Sequence, residues 1–308
     1  MSVEKQSFGT TKKGEAISLY TVTNKNGMVM KVTDFGAILV SVLVPDKNGV
    51  LTDVVLGYDH GEDYQVNSPH FGATIGRNGN RIKGASFVLN GKKIQLTPNE
   101  KGNSLHSGPD GFEFMMWEAE TKEQAVAFRH HSPDGEQGFP GNFDVTVTYT
   151  LTDDNSVEIH YEGISDQDTV ANMTNHSYFN LQDDIQQPVS DTVLQIASHQ
   201  VTEVDDGLIP TGTILDITGG PLDFTTPKPI GRDIQADEPS IRRVEGYDHN
   251  YVLDGEGLRK VAEAYEPISG RVMETFTDLP GMQLYTDNGN EHRAFCLETQ
   301  FYPDAVHH

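Results

Sequence analysis

Cysteine is almost absent: the 308-residue chain has one, Cys296. No intrachain disulfide can form, so the fold must rest on its core. A lone thiol fits a reducing compartment. Basic residues are scarce as well, with 22 Lys and Arg against 46 Asp and Glu and a formal net charge of −24. Nucleic acid and anionic membrane both demand basic patches, so neither is expected as a partner. Phosphorylated substrates are disfavoured as a class, and a neutral polar ligand is not. Long apolar runs are missing: Ala37 to Val44, the longest, is interrupted by Ser41. It is far too short to cross a bilayer as a helix. Met1 to Gln6 has no apolar stretch of signal-peptide type, and the expected setting is the cytoplasm.

Several chemical signatures are also missing. The 12 histidines show no His-Glu-x-x-His and no Cys/His ligand spacing. No serine sits in a Gly-x-Ser-x-Gly elbow, and no Gly-rich loop ends in Lys-Ser/Thr. No βαβ unit carries the dinucleotide glycine pattern. The expectation is a protein with no metal and no cofactor.

Turns and short strands are abundant. The chain has 30 glycines and 15 prolines. Turn signals such as Pro45-Asp46-Lys47-Asn48-Gly49, Asn90-Gly91 and Asp254-Gly255 separate β-branched and aromatic runs. Those runs are Val40 to Val44, Asp144 to Leu151, Val157 to Tyr161, Val193 to Ile196, Gln283 to Thr286 and Ala294 to Leu297. Val145 to Leu151 alternates apolar and polar side chains, the period of a strand with one buried face. Helical periodicity is scarce, though Pro188 to Gln200 could hold a turn or two. The pattern predicts an all-β protein of two packed antiparallel sheets. No repeat, linker or composition break divides it, so 1–308 is expected to be one domain. Ser132 to Asn142 is expected to be a long loop.

Five places carry residues able to do chemistry. Asn175-His176-Ser177-Tyr178-Phe179-Asn180-Leu181 crowds hydrogen-bonding side chains between strand-like segments. Either it is a solvated loop or its polar groups face something polar, since a buried unpaired group costs about 1–3 kcal/mol. His176 titrates near neutrality and can move a proton there. Ile75-Gly76-Arg77-Asn78-Gly79-Asn80-Arg81-Ile82 could form a hydrogen-bonding corner or a surface turn with solvated arginines. His106, in Asn103 to Gly108, reads alone as a loop histidine. Asp248, in Gly246 to Leu253, could accept bonds from ligand hydroxyls or cap a turn. Glu298, after the run ending at Leu297, is a usable base if partly apolar surroundings raise its pKa, and an outward strand residue otherwise.

Together these places resemble the aldose 1-epimerase family, also called galactose mutarotases. A Gly-Arg-x-x-Asn-Arg-Ile corner is matched at 76–82, and Asn-His-x-Tyr-Phe-Asn-Leu at 175–181. A Tyr-Asp-His-x-Tyr segment is matched at 247–251, and Leu-Glu-Thr-Gln-x-x-Pro-Asp-Ala at 297–305. A Leu-His-Gly-Gly turn is matched at 105–108, except that Ser107 replaces a glycine. The order agrees, and the matches run from about residue 35 to 305. Family members usually continue past Pro-Asp-Ala, so this chain is expected to be short at its C-terminus.

The resemblance implies a large antiparallel β-sandwich of the galactose mutarotase type, with a sugar in an open cleft. It implies His176 as general acid and Glu298 as general base. It implies Arg77, His106 and Asp248 as contacts to sugar hydroxyls and the ring oxygen, with Asn78 beside them and Tyr285 as a stacking surface. The substrate would be a small neutral monosaccharide, and the assembly a monomer or homodimer. Anomers interconvert when a base takes the anomeric hydroxyl proton and an acid protonates the ring oxygen. Each such group typically contributes about 10²–10⁴-fold. A non-catalytic sugar-binding β-sandwich module is the alternative. A glycoside hydrolase would need two carboxylates roughly 5–10 Å apart, where the resemblance pairs Glu with His. A hexose-phosphate epimerase would need more converging basic residues than Arg77 and Arg81.

Overall fold

Residues 3–308 are described by the structure, a computed structural model. The chain divides into two compact units, Met1–Val44 with Val55–His176 and Pro45–Val54 with Ser177–His308. Most regular elements are strands paired antiparallel, the others are short 3₁₀ turns, and the one α-helix among the described residues is Pro239–Val244. That helix starts with proline in its first turn and carries Arg242 and Arg243 in its last, both favourable placements.

The first unit contains two antiparallel meanders. Glu4–Thr10, Ala16–Thr23, Val29–Thr33 and Ile38–Pro45 pair in sequence order, as do Glu118–Lys122, Ala125–Ser132, Phe143–Leu151 and Val157–Ser165. Phe143–Leu151 shows how the sequence builds them. Its phenylalanine, valines, Tyr149 and Leu151 are buried, while the residues between are half-buried or exposed. The two sheets meet through aromatic rings, with Tyr20 edge-on to Phe128 at 5.8 Å. A core of Ile17, Leu19, Phe35, Ile38, Val40 and Tyr64 lies under the first meander.

Two short pairings in this unit carry the motif residues. Thr174–His176 pairs with Ala73–Ile75, and Ser104–Leu105 pairs with Arg81–Ile82. Gly72 locks the first of them in place. Its carbonyl accepts from Leu39 N at 2.9 Å, and its N–H donates to the His176 carbonyl at 3.0 Å. A Cβ there would lie 2.0 Å from the Leu39 carbonyl oxygen, and φ is +62°, so only glycine fits.

The second unit holds the sheet Pro210–Asp216, Gln200–Val204, Asp248–Val252, Gly281–Tyr285 and Cys296–Gln300, in that spatial order. A second sheet runs Lys228–Pro229, Val193–Ile196, Arg259–Tyr265 and Val272–Thr277. Leu194, Ile196, Phe224, Tyr247, Tyr251 and Phe295 are among its buried apolar residues. The span from Pro188 to Gln200, where a helical turn was possible, holds the 3₁₀ turn Val189–Asp191 and then a strand. At the end of the chain, Ala305–His307 forms a 3₁₀ turn, and His308 Nε2 lies 3.3 Å from the Pro210 carbonyl oxygen.

Candidate active site

In the first unit His176 ends the strand Thr174–His176 and is buried. Its neighbours are histidines. The rings of His106 and His176 stand 5.4 Å apart and nearly perpendicular, and His70 lies 5.6 Å from His176 and 4.9 Å from His106. Burial is the main reason the His176 imidazole is pushed down to about 3, and the neighbouring His70 ring adds repulsion whenever both are protonated. His106 is also held well below the usual range, by burial and then by His70, His176 and Arg81. Both rings are therefore neutral at neutral pH in the free protein.

Hydrogen bonds fix the His106 tautomer. The Asn80 backbone N–H donates to His106 Nδ1 at 3.2 Å, and the His106 backbone N–H donates to the Asn80 carbonyl at 3.1 Å. The proton of the neutral ring must then sit on Nε2, which has no partner among the described residues. His106 adopts φ +50° and Ser107 φ +71°, left-handed conformations that are uncommon outside glycine. Ser107 stands where the family turn has glycine. Its hydroxyl accepts from Asn78 N at 2.7 Å and donates to the Asn78 carbonyl at 3.0 Å, which ties the two loops together.

The expected sugar contact at Arg77 needs correction. The side chain is 1 % exposed. Nε donates to Ser132 Oγ, Nη1 to the Pro140 carbonyl and Thr169 Oγ1, and Nη2 to the Ser132, Pro133 and Gly141 carbonyls. A guanidinium has five N–H donors, and each is already met by a protein acceptor. Arg77 therefore fastens the 132–142 loop, and the Phe139 and Phe143 rings lie 5.9 and 5.5 Å from its charge. Asn78 is buried, and its Nδ2 donates one N–H to the Gly79 carbonyl at 2.8 Å. The arginine left facing the histidines is Arg81. It is half-buried, paired to Glu100 at 3.3 Å, and close enough to His106 to lower that imidazole.

In the second unit the strand register gathers the remaining candidates. Asn250 lies opposite Gln283, and Gln283 opposite Glu298. Side chains in register share a face, as do residues two apart. Asp248, Gln283, Tyr285 and Glu298 therefore project from one side of the sheet. Gln283 Nε2 donates to Asp248 Oδ1 at 2.6 Å. Glu298 is 2 % exposed. Tyr285 donates to the Asn288 carbonyl at 3.3 Å and meets Tyr178 edge-on at 6.0 Å. Burial raises the Tyr285 phenol and the Cys296 thiol, so both stay neutral. Cys296 is a packing residue and not a nucleophile.

The polar run 175–181 is not a solvated loop. Asn175 Nδ2 donates to the Gly72 carbonyl and to Tyr149 Oη at 3.1 and 3.2 Å. Asn180 Nδ2 donates to the Gln187 and Arg293 carbonyls at 2.8 and 2.7 Å. Sequence reading named Asn80 and Arg81 only as part of the 76–82 corner, and it singled out none of His70, Glu113 and Gln283. Gln283 was recoverable, because it sits two residues before Tyr285 on a predicted strand and shares its face. His70 and Glu113 carry no local signal.

The fold defines the class of protein. The structure superposes on a galactose 1-epimerase from Lactobacillus acidophilus with a TM-score of 0.87 and 25 % identity, covering 98 % of this chain and 91 % of that one. An aldose epimerase homologue from C. elegans gives 0.85 and 28 %, covering 93 % and 90 %. The fold is thus the antiparallel β-sandwich of the galactose mutarotases. The sequence agrees. The aldose 1-epimerase family model matches residues 18–308. The galactose mutarotase of Rattus norvegicus is 35 % identical over 99 % of this chain and 92 % of its own length. The aldose 1-epimerase of Escherichia coli is 36 % identical over 96 % and 89 %. The chain belongs to the aldose 1-epimerase family. No helix among the described residues is long and apolar enough to cross a membrane.

Proposed function

We propose that this protein is an isomerase that interconverts the α and β anomers of a free aldohexose of the galactose or glucose type. Glu298 takes the proton of the anomeric hydroxyl, and His176 gives one to the ring oxygen. The bond between the anomeric carbon and the ring oxygen breaks, leaving an aldehyde and a neutral His176. Rotation about the adjacent carbon–carbon bond exposes the other face. The hydroxyl then readds as His176 recovers its proton and Glu298 releases the one it took. His106, Asp248 and Arg81 hold hydroxyls, and Tyr285 offers a ring face. The reading takes 1–308 as one catalytic domain working in the cytoplasm as a monomer or homodimer, without cofactor.

The observation that carries it is the burial of Glu298 on a sheet face shared with Asp248 and Gln283. Burying an ionisable carboxyl is costly, and such groups cluster where there is chemistry to do. Burial also keeps His176 neutral in the free protein. Its proton must then be taken up from solvent in the sugar complex, where the ring oxygen is its acceptor, and it passes across as charge develops there with bond cleavage.

The test is polarimetry of freshly dissolved α-D-galactose and α-D-glucose. Glu298→Gln should reduce the enzymatic rate by at least about 10²-fold, and His176→Asn nearly as much, with the fold intact. An unchanged rate in either variant removes that residue from its role. A wild-type protein that binds galactose without speeding anomerisation would be a sugar-binding module instead.

A further inference from the structure

The histidine cluster holds a group that this mechanism does not use. His70 Nδ1 lies 2.7 Å from Glu113 Oε1. A carboxylate only accepts, so Nδ1 carries a proton, and Nε2 is an acceptor whenever the ring holds no second one. Glu113 is 2 % exposed, and its Oε2 has no partner among the described residues. Its placement in the 3₁₀ turn Phe112–Phe114 therefore serves His70 alone among the described polar groups. His70 sits at φ +65°, a left-handed conformation that the surrounding bonds must enforce. Its side chain remains 25 % exposed.

His106 is the complement. Its Nδ1 accepts from Asn80, so its Nε2 is a donor. The two rings are 4.9 Å apart and inclined at 64°. Neither Nε2 has a hydrogen-bond partner among the described residues. With His70 neutral, the adjoining rings offer one acceptor and one donor, each set by a different backbone or carboxylate anchor. A hydroxyl group, or two on neighbouring carbons, is the ligand that satisfies both.

We propose that His70, oriented by Glu113, is a further substrate-binding residue: its Nε2 accepts a hydrogen bond from a sugar hydroxyl beside the one His106 serves. The assignment rests on the reading of the His106 and His176 side as a sugar site. It makes His70 a selector of one particular hydroxyl.

Three measurements test it. Long-range ¹H–¹⁵N spectra of the free wild-type protein near pH 8 should show His70 protonated on Nδ1 and His106 on Nε2. Adding D-galactose should shift the His70 Nε2 resonance. His70→Phe keeps a ring of similar shape, and its fold is checked by thermal melting. It should raise KM for galactose about tenfold with little change in kcat, the behaviour of a contact made equally in ground and transition states. On the 2-, 3-, 4- and 6-deoxygalactoses, that penalty should fall below twofold for one sugar and persist for the rest. An equal penalty on every deoxy sugar, no penalty on any, or an unmoved His70 resonance would overturn the proposal. If the wild type fails to anomerise galactose yet binds it with the His70 shift, the catalytic reading fails and this one stands.

Discussion

Replacing Arg77 with methionine separates a sugar contact from a structural clamp. The guanidinium is fully enclosed and makes six hydrogen bonds, four of them to carbonyls of Ser132, Pro133, Pro140 and Gly141. At about 1.5–3 kcal/mol for each bond to a charged donor, the sum far exceeds what one side chain can cost. The loop will relax, water will reach some carbonyls, and the methionine will recover apolar burial. A loss of about 3–5 kcal/mol, the range for breaking a buried charged network, is the reasoned outcome. Glu136 adds to it, because Arg77 is one of the groups holding that carboxyl below its usual range. For 308 residues, an unfolding entropy of about 2.1 cal/mol/K per residue converts this to a drop in Tm of roughly 5–8 °C. Arg77→Lys keeps the charge but loses the fork, and should fall between the two. Differential scanning calorimetry gives the Tm, and polarimetry below the transition gives KM. The reasoning fails if Arg77→Met melts like the wild type while its KM for galactose rises tenfold. That result would return Arg77 to the sugar.

Two further outcomes follow from the buried imidazoles. His176 is held to about 3 in the free protein, so saturating galactose should raise it, and protein titrated with galactose below pH 6 should take up protons. Imidazole NMR with and without sugar reads this directly, and an unmoved titration would deny His176 the acid role. Three buried rings, His106, His176 and, on the strand Asp248–Val252 of the second unit, His249, set acid stability. His106 is well below the usual range, His176 near 3 and His249 near 4, while the unfolded chain charges each near 6.5. Between those values the unfolded state binds more protons, so stability falls as pH drops from about 6.5 toward 4, by up to about 1.4 kcal/mol per pH unit for each ring. Asp34 and Asp287, pushed up by burial, offset part of this at the acid end. Urea midpoints at pH 7, 6 and 5 should decline, and a flat series would refute the account.

Much of the architecture was legible in the sequence, because strands with one buried face announce themselves by alternation. Val193 to Ile196 is a strand over the same residues in the structure, and Asp144 to Leu151 extends by one residue to Phe143–Leu151. The short helix Pro239–Val244 was missed, since six residues give an apolar period no room to repeat. The acidic balance and lone cysteine bounded the ligand class without locating anything. Motif order located the loops, but what each side chain does inside them depends on neighbours far away in sequence. His70 and Glu113 are 43 positions apart. No local pattern reports that one aims the other.

The two arginines of the 76–82 corner show where pattern reading stops. They are four apart in one motif, with equal charge and equal reach, and nothing in the text ranks one above the other. What separates them is supply of acceptors. The loop from Ser132 to Asn142 turns its carbonyls inward and exhausts the donors of Arg77. Arg81 has the strand Ser104–Leu105 beside it, with a single ion pair to Glu100 at its Nε. A carbonyl-rich loop cannot bury those oxygens without a donor, so the first arginine is required for the second to be spared. On the proposed reading the corner is one structural device, Arg77, carrying one sugar-binding group, Arg81. Removing Arg77 should therefore damage the site only as far as it loosens the loop that holds it.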